Sequence, residues 1–328
     1  MSIPDLLLHR YVQTPASMIQ IQPIATLLGH QNPIYTAVCS QKSGILFTAG
    51  HDRGVVEWSI QKQAFIKILF PVQSSVYALH APVSAPILIA GQRNGQISVF
   101  DFEQQCITAN WQHHQLAIFD IQSVASKNEW IACSADGTAS VWDFQTTDTK
   151  SGSYPLLQQF GISTEGIRTM AIDPSENKIA FGGKDQLIRI YNLSDYHLLE
   201  VLNGHTLPIS SLQFSPDGKY LLSGSRDATL KIWDTADFSL KKSINAHLFA
   251  LYSIAFHPQK PYFATASRDK SIKIWDSVDF NLKKVISINK GYPGHHLSIN
   301  KLTWDPITSN LISVSDDRSV IIWDIQLD

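Results

Sequence analysis

The sequence predicts an all-β fold assembled from seven repeated units of four strands each. Three observations carry this. An aromatic residue followed by a polar one recurs seven times, as Trp58-Ser59, Phe100-Asp101, Trp142-Asp143, Tyr191-Asn192, Trp233-Asp234, Trp275-Asp276 and Trp323-Asp324. The steps between these aromatics are 42, 42, 49, 42, 42 and 48 residues, and a fixed period of that size marks units that cannot bury an apolar face alone. Between them run short apolar segments separated by Pro, Gly and Asp turns, with no helical period.

The four strands of a unit are clearest between residues 204 and 244. Ile209, Leu212 and Phe214 belong to a first apolar strand ended by the turn Ser215-Pro216-Asp217-Gly218, and Tyr220 to Ser225 forms the second. Arg226-Asp227-Ala228 turns tightly into a third strand, Thr229 to Trp233, and Leu240 to Ile244 is the fourth. The same order returns from Ala246-His247 to Trp275, with the turn His257-Pro258-Gln259 and a second strand from Tyr262 to Ser267.

Composition narrows the class. With 44% hydrophobic and 16% charged residues and a net charge of −2, the chain reads as one soluble body without the bulk charge of a nucleic-acid or membrane binder. Cys39, Cys106 and Cys133 form no CxxC pair, so neither a disulfide framework nor a thiolate zinc site is indicated and a reducing, cytoplasmic setting is expected. Leu6-Leu7-Leu8 is far shorter than a signal-peptide core or a spanning helix. Residues 1–18 are expected to form a tail and 19–328 a single domain. The 12 histidines include no HExxH or Cys/His quartet, and no glycine-rich phosphate loop opens a helix, so no metal or cofactor is expected.

Gly29-His30, Gly204-His205 and Gly294-His295 open units that close on Trp-Ser or Trp-Asp. In this the chain resembles the WD40-repeat β-propeller family along nearly its whole length. The resemblance implies a seven-bladed propeller of four-stranded antiparallel blades. Counting back 28 residues from each closing aromatic gives His30, Val72, His114, Ser163, His205, His247 and His295. Counting back six gives Asp52, Asn94, Asp136, Asp185, Asp227, Asp269 and Asp317, and counting back ten gives Thr48, Ser223, Thr265 and Ser313 in four units.

A buried Trp needs an acceptor for its indole N–H, and a Ser or Thr hydroxyl can accept that bond and donate onward to His, which in turn reaches Asp. The family's Asp-His-Ser/Thr-Trp network is therefore expected in units one, five, six and seven: His30, Thr48, Asp52 and Trp58; His205, Ser223, Asp227 and Trp233; His247, Thr265, Asp269 and Trp275; His295, Ser313, Asp317 and Trp323. Unit three has Ala132 at the hydroxyl position, and units two and four lack both His and Trp. Fourfold recurrence with a Trp at fixed spacing marks a structural staple, whereas a catalytic triad needs one exposed hydroxyl beside an oxyanion hole.

Only four residues follow Trp323-Asp324, while Ile19 to Leu28 precedes the first Gly-His where every other unit places its fourth strand. The N-terminal strand is therefore expected to complete blade seven and remove an open sheet edge. The resemblance further implies that the first strand of each blade lines the channel and that the Gly-His segments and Asp turns share the top face. The residues five past each His position, Tyr35, Tyr77, Phe119, Arg168, Ser210, Tyr252 and Asn300, should then point into the channel mouth. Those just before the turn Asp or Asn, His51, Arg93, Ala135, Lys184, Arg226, Arg268 and Asp316, should join them.

Four aromatics ringed by five basic residues against one acid suit an interaction hot spot for a protein or peptide partner that is acidic or phosphorylated. The partner-binding candidates are Tyr35, His51, Tyr77, Arg93, Phe119, Arg168, Lys184, Arg226, Tyr252 and Arg268. Two insertions flank this picture. Gln145 to Tyr154 is expected as a flexible loop between strands three and four of blade four, on the bottom face. Asn289 to Pro293 is expected to reach the top, where Tyr292 and His296 would add to the contact surface. The reading is a monomeric, non-enzymatic scaffold. The alternatives are a propeller that binds nucleic acid through its basic aromatic top and an enzyme with a site at the channel mouth.

Overall fold

The computed structural model describes residues 19–40, 44–144 and 154–326. Seven four-stranded antiparallel sheets make up a seven-bladed β-propeller. Blade five runs Ile209–Phe214, Tyr220–Ser225, Thr229–Asp234 and Leu240–Asn245, so the third and fourth strands each extend one residue past the sequence-based limits. The first strand of each blade touches the first strands of the blades on both sides, and the circuit returns from Ile299–Trp304 to Ile34–Cys39. These seven strands surround the channel.

The units cannot fold singly because their cores are shared. Seven buried apolar clusters form, and each lies between two neighbouring blades. Leu222, Leu230 and Ile232 of blade five, for example, meet Leu251, Ile254 and Phe263 of blade six. Glycines in the second strands permit the close approach: a Cβ on Gly91, Gly182 or Gly224 would lie 2.3–2.6 Å from Ile118, Ile209 or Leu251 of the next blade.

Ring closure follows the expected route. Gln20–Leu27 pairs antiparallel with Val320–Gln326, from Gln20 opposite Gln326 to Leu27 opposite Val320, and completes blade seven. Leu27 also joins Val320 and Ile322 in the core shared by blades seven and one. The insertion after Trp142 belongs to blade three, not blade four, because Thr138–Asp143 pairs with Leu156–Gly161. Residues 145–153 lie outside the described residues. Tyr154, expected at the end of that loop, is instead 6% exposed in the core between blades two and three.

The staple has the geometry its chemistry requires. In blade five Trp233 Nε1 donates to Ser223 Oγ at 2.9 Å, Ser223 Oγ lies 2.8 Å from His205 Nε2, and His205 Nδ1 lies 2.9 Å from Asp227. Since the hydroxyl oxygen accepts from the indole, its proton goes to Nε2, which leaves Nδ1–H to donate to the carboxylate. The same chain joins Trp58, Thr48, His30 and Asp52; Trp275, Thr265, His247 and Asp269; and Trp323, Ser313, His295 and Asp317. Burial opposes ionisation of Asp227, but the hydrogen bonds from His205 and Thr229 outweigh it and hold the carboxyl well below the usual range. The same balance, with His247 and His295, holds Asp269 and Asp317 low. Burial also keeps His30 and His247 below the ordinary histidine value despite their carboxylate partners.

Blade three completes the staple by another route. Ser140, in the third strand, stands directly across from Ala132 and accepts from Trp142 Nε1 at 2.9 Å while its Oγ lies 2.9 Å from His114 Nε2. His114 Nδ1 reaches Asp136 at 2.9 Å. Blades two and four use substitutes. Gln92 donates to Ser98, which donates to Asn110, and Asp185 accepts from Ser163 at 2.8 Å and pairs with Arg189 at 2.7 Å.

Two outcomes check these assignments. Deleting residues 1–28 should leave an open edge and a bared core, and so insoluble protein; a soluble, monomeric truncate would contradict the closure. Ser140→Ala should lower stability in denaturant titration by about 2–4 kcal/mol through stranding the Trp142 and His114 groups, and adding Ala132→Ser should restore most of it. A double variant no more stable than Ser140→Ala would refute the cross-strand exchange.

Candidate functional site

In every blade the pairing of the first strand with the second slips at the same place. The shifts fall between Ile34 and Thr36, Val76 and Ala78, Ile118 and Asp120, Ile167 and Thr169, Ile209 and Ser211, Leu251 and Ser253, and Ile299 and Lys301. The residues left out of register are Tyr35, Tyr77, Phe119, Arg168, Ser210, Tyr252 and Asn300. A bulge bends the strand and re-aims its extra side chain. All seven are half-buried, and all line one cavity of about 310 Å³ at the channel mouth.

The outer ring is divided. Arg226 and Asp316 line the cavity; His51, Arg93, Lys184 and Arg268 are exposed on the face outside it. Ala135 is half-buried and does not line it either. His51 turns to its neighbouring blade, with Nδ1 2.8 Å from Ser75 Oγ. Tyr292 packs on the core between blades six and seven instead of reaching the mouth. His296 is exposed and also does not line the cavity. Its insertion contains a short 3₁₀ turn, Ile288–Lys290, closed by Gly291 at φ 85°.

Within the cavity the aromatics form an arc. Tyr35 and Tyr77 have ring centroids 5.1 Å apart, Tyr77 and Phe119 are stacked at 5.3 Å, and the Arg168 guanidinium lies 5.0 Å from the Phe119 centroid. Four consecutive blades thus contribute one continuous run of ring and guanidinium contacts, of which Tyr77–Phe119 is the stacked pair. Burial, then the nearby Arg226, disfavours the charge on Arg168. Arg168 Nε is buried without a hydrogen-bond partner, and neither arginine forms an ion pair among the described residues. On the far wall Asn300 Nδ2 donates to Asp316 at 2.8 Å and to the Ile34 carbonyl at 2.7 Å. Burial, with Tyr77 and Asp316 nearby, raises the Tyr35 hydroxyl, and Arg93 opposes this.

Below the mouth lies a layer that the motif count did not single out. In blades three to six the residue after the bulge ties one inner strand to the next: Met170 N donates to Asp120, Leu212 N to Thr169, Ile254 N to Ser211 and Leu302 N to Ser253, at 3.0–3.3 Å. Burial raises Asp120, opposed by Lys301 and by the Met170 N–H. The signal was present as Asp, Thr or Ser one residue past the mouth position. Among the described residues no cluster of three or more His, Cys, Asp or Glu is placed to hold a metal, and no helix is long and apolar enough to cross a membrane.

The model of the WD40 family (WD domain, G-beta repeat) matches residues 21–59, 105–143, 196–234, 238–276 and 286–324, more than half of the chain. The two units without a match to that model are those closing on Phe100 and Tyr191. Telomerase protein component 1 of Mus musculus is 28% identical over 137 residues, which cover 40% of this chain and 5% of that protein. A striatin homolog of Dictyostelium discoideum is 24% identical over 191 residues, 56% of this chain and 19% of that protein. A CCR4-associated factor 4 homolog of Vanderwaltozyma polyspora is 26% identical over 209 residues, 54% of this chain and 31% of that protein. The chain spans less than a third of the length of each of these relatives. With five matched repeats in a seven-bladed ring, the chain belongs to the WD40-repeat family.

Proposed function

We propose that this protein is a non-enzymatic scaffold that holds a peptide segment of a protein partner at the channel mouth on its top face. The observation that carries the reading is the conversion of seven backbone bulges into one cavity, with an unpaired arginine in its wall. Aromatics and arginine dominate binding energy at protein interfaces, and they are concentrated here on the rigid innermost strands. The two arginines favour an acidic or phosphorylated segment. Two relatives carry names that place them in assemblies, one as a factor associated with CCR4 and one as a component of telomerase; by analogy this chain acts as one part of a larger complex. A monomeric, cytoplasmic propeller fits this role.

Nucleic acid is the weaker reading on a specific ground. Tyr77 stacks on Phe119, and Phe119 lies between Tyr77 and Arg168, so these two rings spend faces on neighbours instead of offering them to bases.

Capture from native lysate, read by mass spectrometry, should recover specific partners with the wild type and lose them with a folded Tyr77→Ala, Arg226→Glu variant. Partners retained by the variant would move the binding site to the rim or the bottom face.

A further inference from the structure

We infer that an apolar groove on the rim, where blade seven hands over to blade one, seats the chain's own N-terminal segment, residues 1–18, through Leu6-Leu7-Leu8. This surface is separate from the channel mouth, and the inference stands independently of the peptide-binding reading. The groove is a cavity of about 500 Å³. Val56 and Trp58, both buried, form its floor, and its walls are Leu28, Phe65 and Ile68, which are 71%, 53% and 63% exposed. Where Gly54–Ser59 pairs with Ala64–Pro71, Phe65 stands opposite Trp58 and Ile68 opposite Val56. All four side chains therefore share one face of the blade's outer edge.

Blade one is open here because of the residue two before its closing Trp. In blade five that residue is Lys231, whose Cδ and Cε lie 3.7 Å from where a Cβ on Gly204 would stand and whose ammonium donates to Ser243 at 2.9 Å. Lys273 of blade six donates to the Ala246 carbonyl at 2.6 Å. Each lysine thus lays its methylene stem beside the segment that leads into its own blade. At the same position blade one has Val56, too short to do so, with Ile68 across from it. The space remains a cavity, and carbon lines most of it.

The edge itself is made to be covered. Phe65, Ile66 and Ile68 are exposed on an outer strand around Lys67, and Lys67 turns to Glu57 at 3.8 Å and Gln105 at 3.3 Å. Free charge is the usual guard of such an edge against pairing with another chain, and here the charge is engaged. Of the segments outside the described residues, 41–43 and 145–153 carry no large apolar side chain and 327–328 only Leu327, whereas 1–18 carries Leu6-Leu7-Leu8, Tyr11 and Val12. That segment joins the ring at Ile19, and the strand Gln20–Leu27 that follows ends beside Leu28 in the groove wall. Doubling back along this strand takes about 27 Å. The chain from Leu8 to Ile19 reaches about 36 Å when extended, which leaves enough to cross to the neighbouring blade. A short tether holds such a segment at a local concentration on the order of millimolar, so a contact of three leucines suffices.

The test places benzoylphenylalanine at Leu7 of the full chain, irradiates the purified protein at low concentration and maps the product by mass spectrometry. The expected product is an adduct within one chain, running as a monomer, to Leu28 or to the strand Ala64–Pro71. Phe65→Ser with Ile68→Ser should reduce its yield about fivefold or more, and so should Leu6→Ser with Leu8→Ser, which alters no described residue. Melting curves establish that each variant is folded; Phe65 and Ile68 are more than half exposed. An adduct to the same strand in a second copy, growing with protein concentration, would overturn the inference in favour of edge-to-edge pairing of two chains. Adducts elsewhere, no adduct, or an adduct undiminished by either pair of substitutions would overturn it outright. None of these outcomes bears on the mouth, where capture with the Tyr77→Ala, Arg226→Glu variant decides.

Discussion

A buried indole N–H that has to find an acceptor organises this propeller. Satisfying Trp233 through Ser223, His205 and Asp227 ties the third strand to the second, and the second to the segment that leads into the first. The carboxylate also accepts the Thr206 and Thr229 N–H groups at 2.9 Å, so both loops at the top of the blade are held by one side chain. Five residues beyond that histidine lies the bulge that supplies Ser210 to the mouth. Staple and mouth residue are thus placed by the same stretch of chain in five blades, and the bulge recurs in blades two and four without the staple, so all seven first strands contribute to one shared cavity.

The blades that depart from the staple carry much of the mouth's character. Blade two, with Val72 and Phe100 at the staple's His and Trp positions, supplies Tyr77, and blade four supplies Arg168. Their substitutes are polar networks of a different make, Gln92 with Ser98 and Asn110 and Asp185 with Ser163 and Arg189. The mouth is consequently asymmetric, with an aromatic arc from blades one to three and Asp120 beneath it, two arginines from blades four and five, Tyr252 from blade six, and Asn300, Lys301 and Asp316 from blade seven. Beneath this asymmetric cavity an arc of bonds between inner strands links blades three to seven.

Part of this was legible from spacing, because each repeat has a fixed offset between aromatic, turn and histidine. The blade-five strands to within a residue and the ring closure by Gln20–Leu27 follow from that count, whereas the seven mouth positions follow only with the resemblance to the WD40 family, which places the first strands around the channel. What it missed depends on cross-strand or three-dimensional relations. Ser140 replaces Ala132 across the sheet, a neighbour eight residues away that a linear offset does not connect. The outer ring collapsed to Arg226 and Asp316 because turn residues sharing an offset aim differently once their neighbours change, as His51 does in turning to Ser75. Tyr292 and Tyr154 read as loop residues by composition, yet both pack on apolar cores since aromatic area is drawn out of water wherever it can reach. Asp120 was overlooked as a single acid on an apolar strand, although it anchors the next blade.

The most direct measurement places a photo-crosslinking benzoylphenylalanine at Tyr77 in the mouth, at Phe65 on the rim and at Asp217 on the bottom face, in three separate proteins irradiated in cells. The account predicts discrete covalent adducts from the Tyr77 position and none of the same species from the other two. Adducts from Phe65 or Asp217 with an empty Tyr77 lane would contradict it.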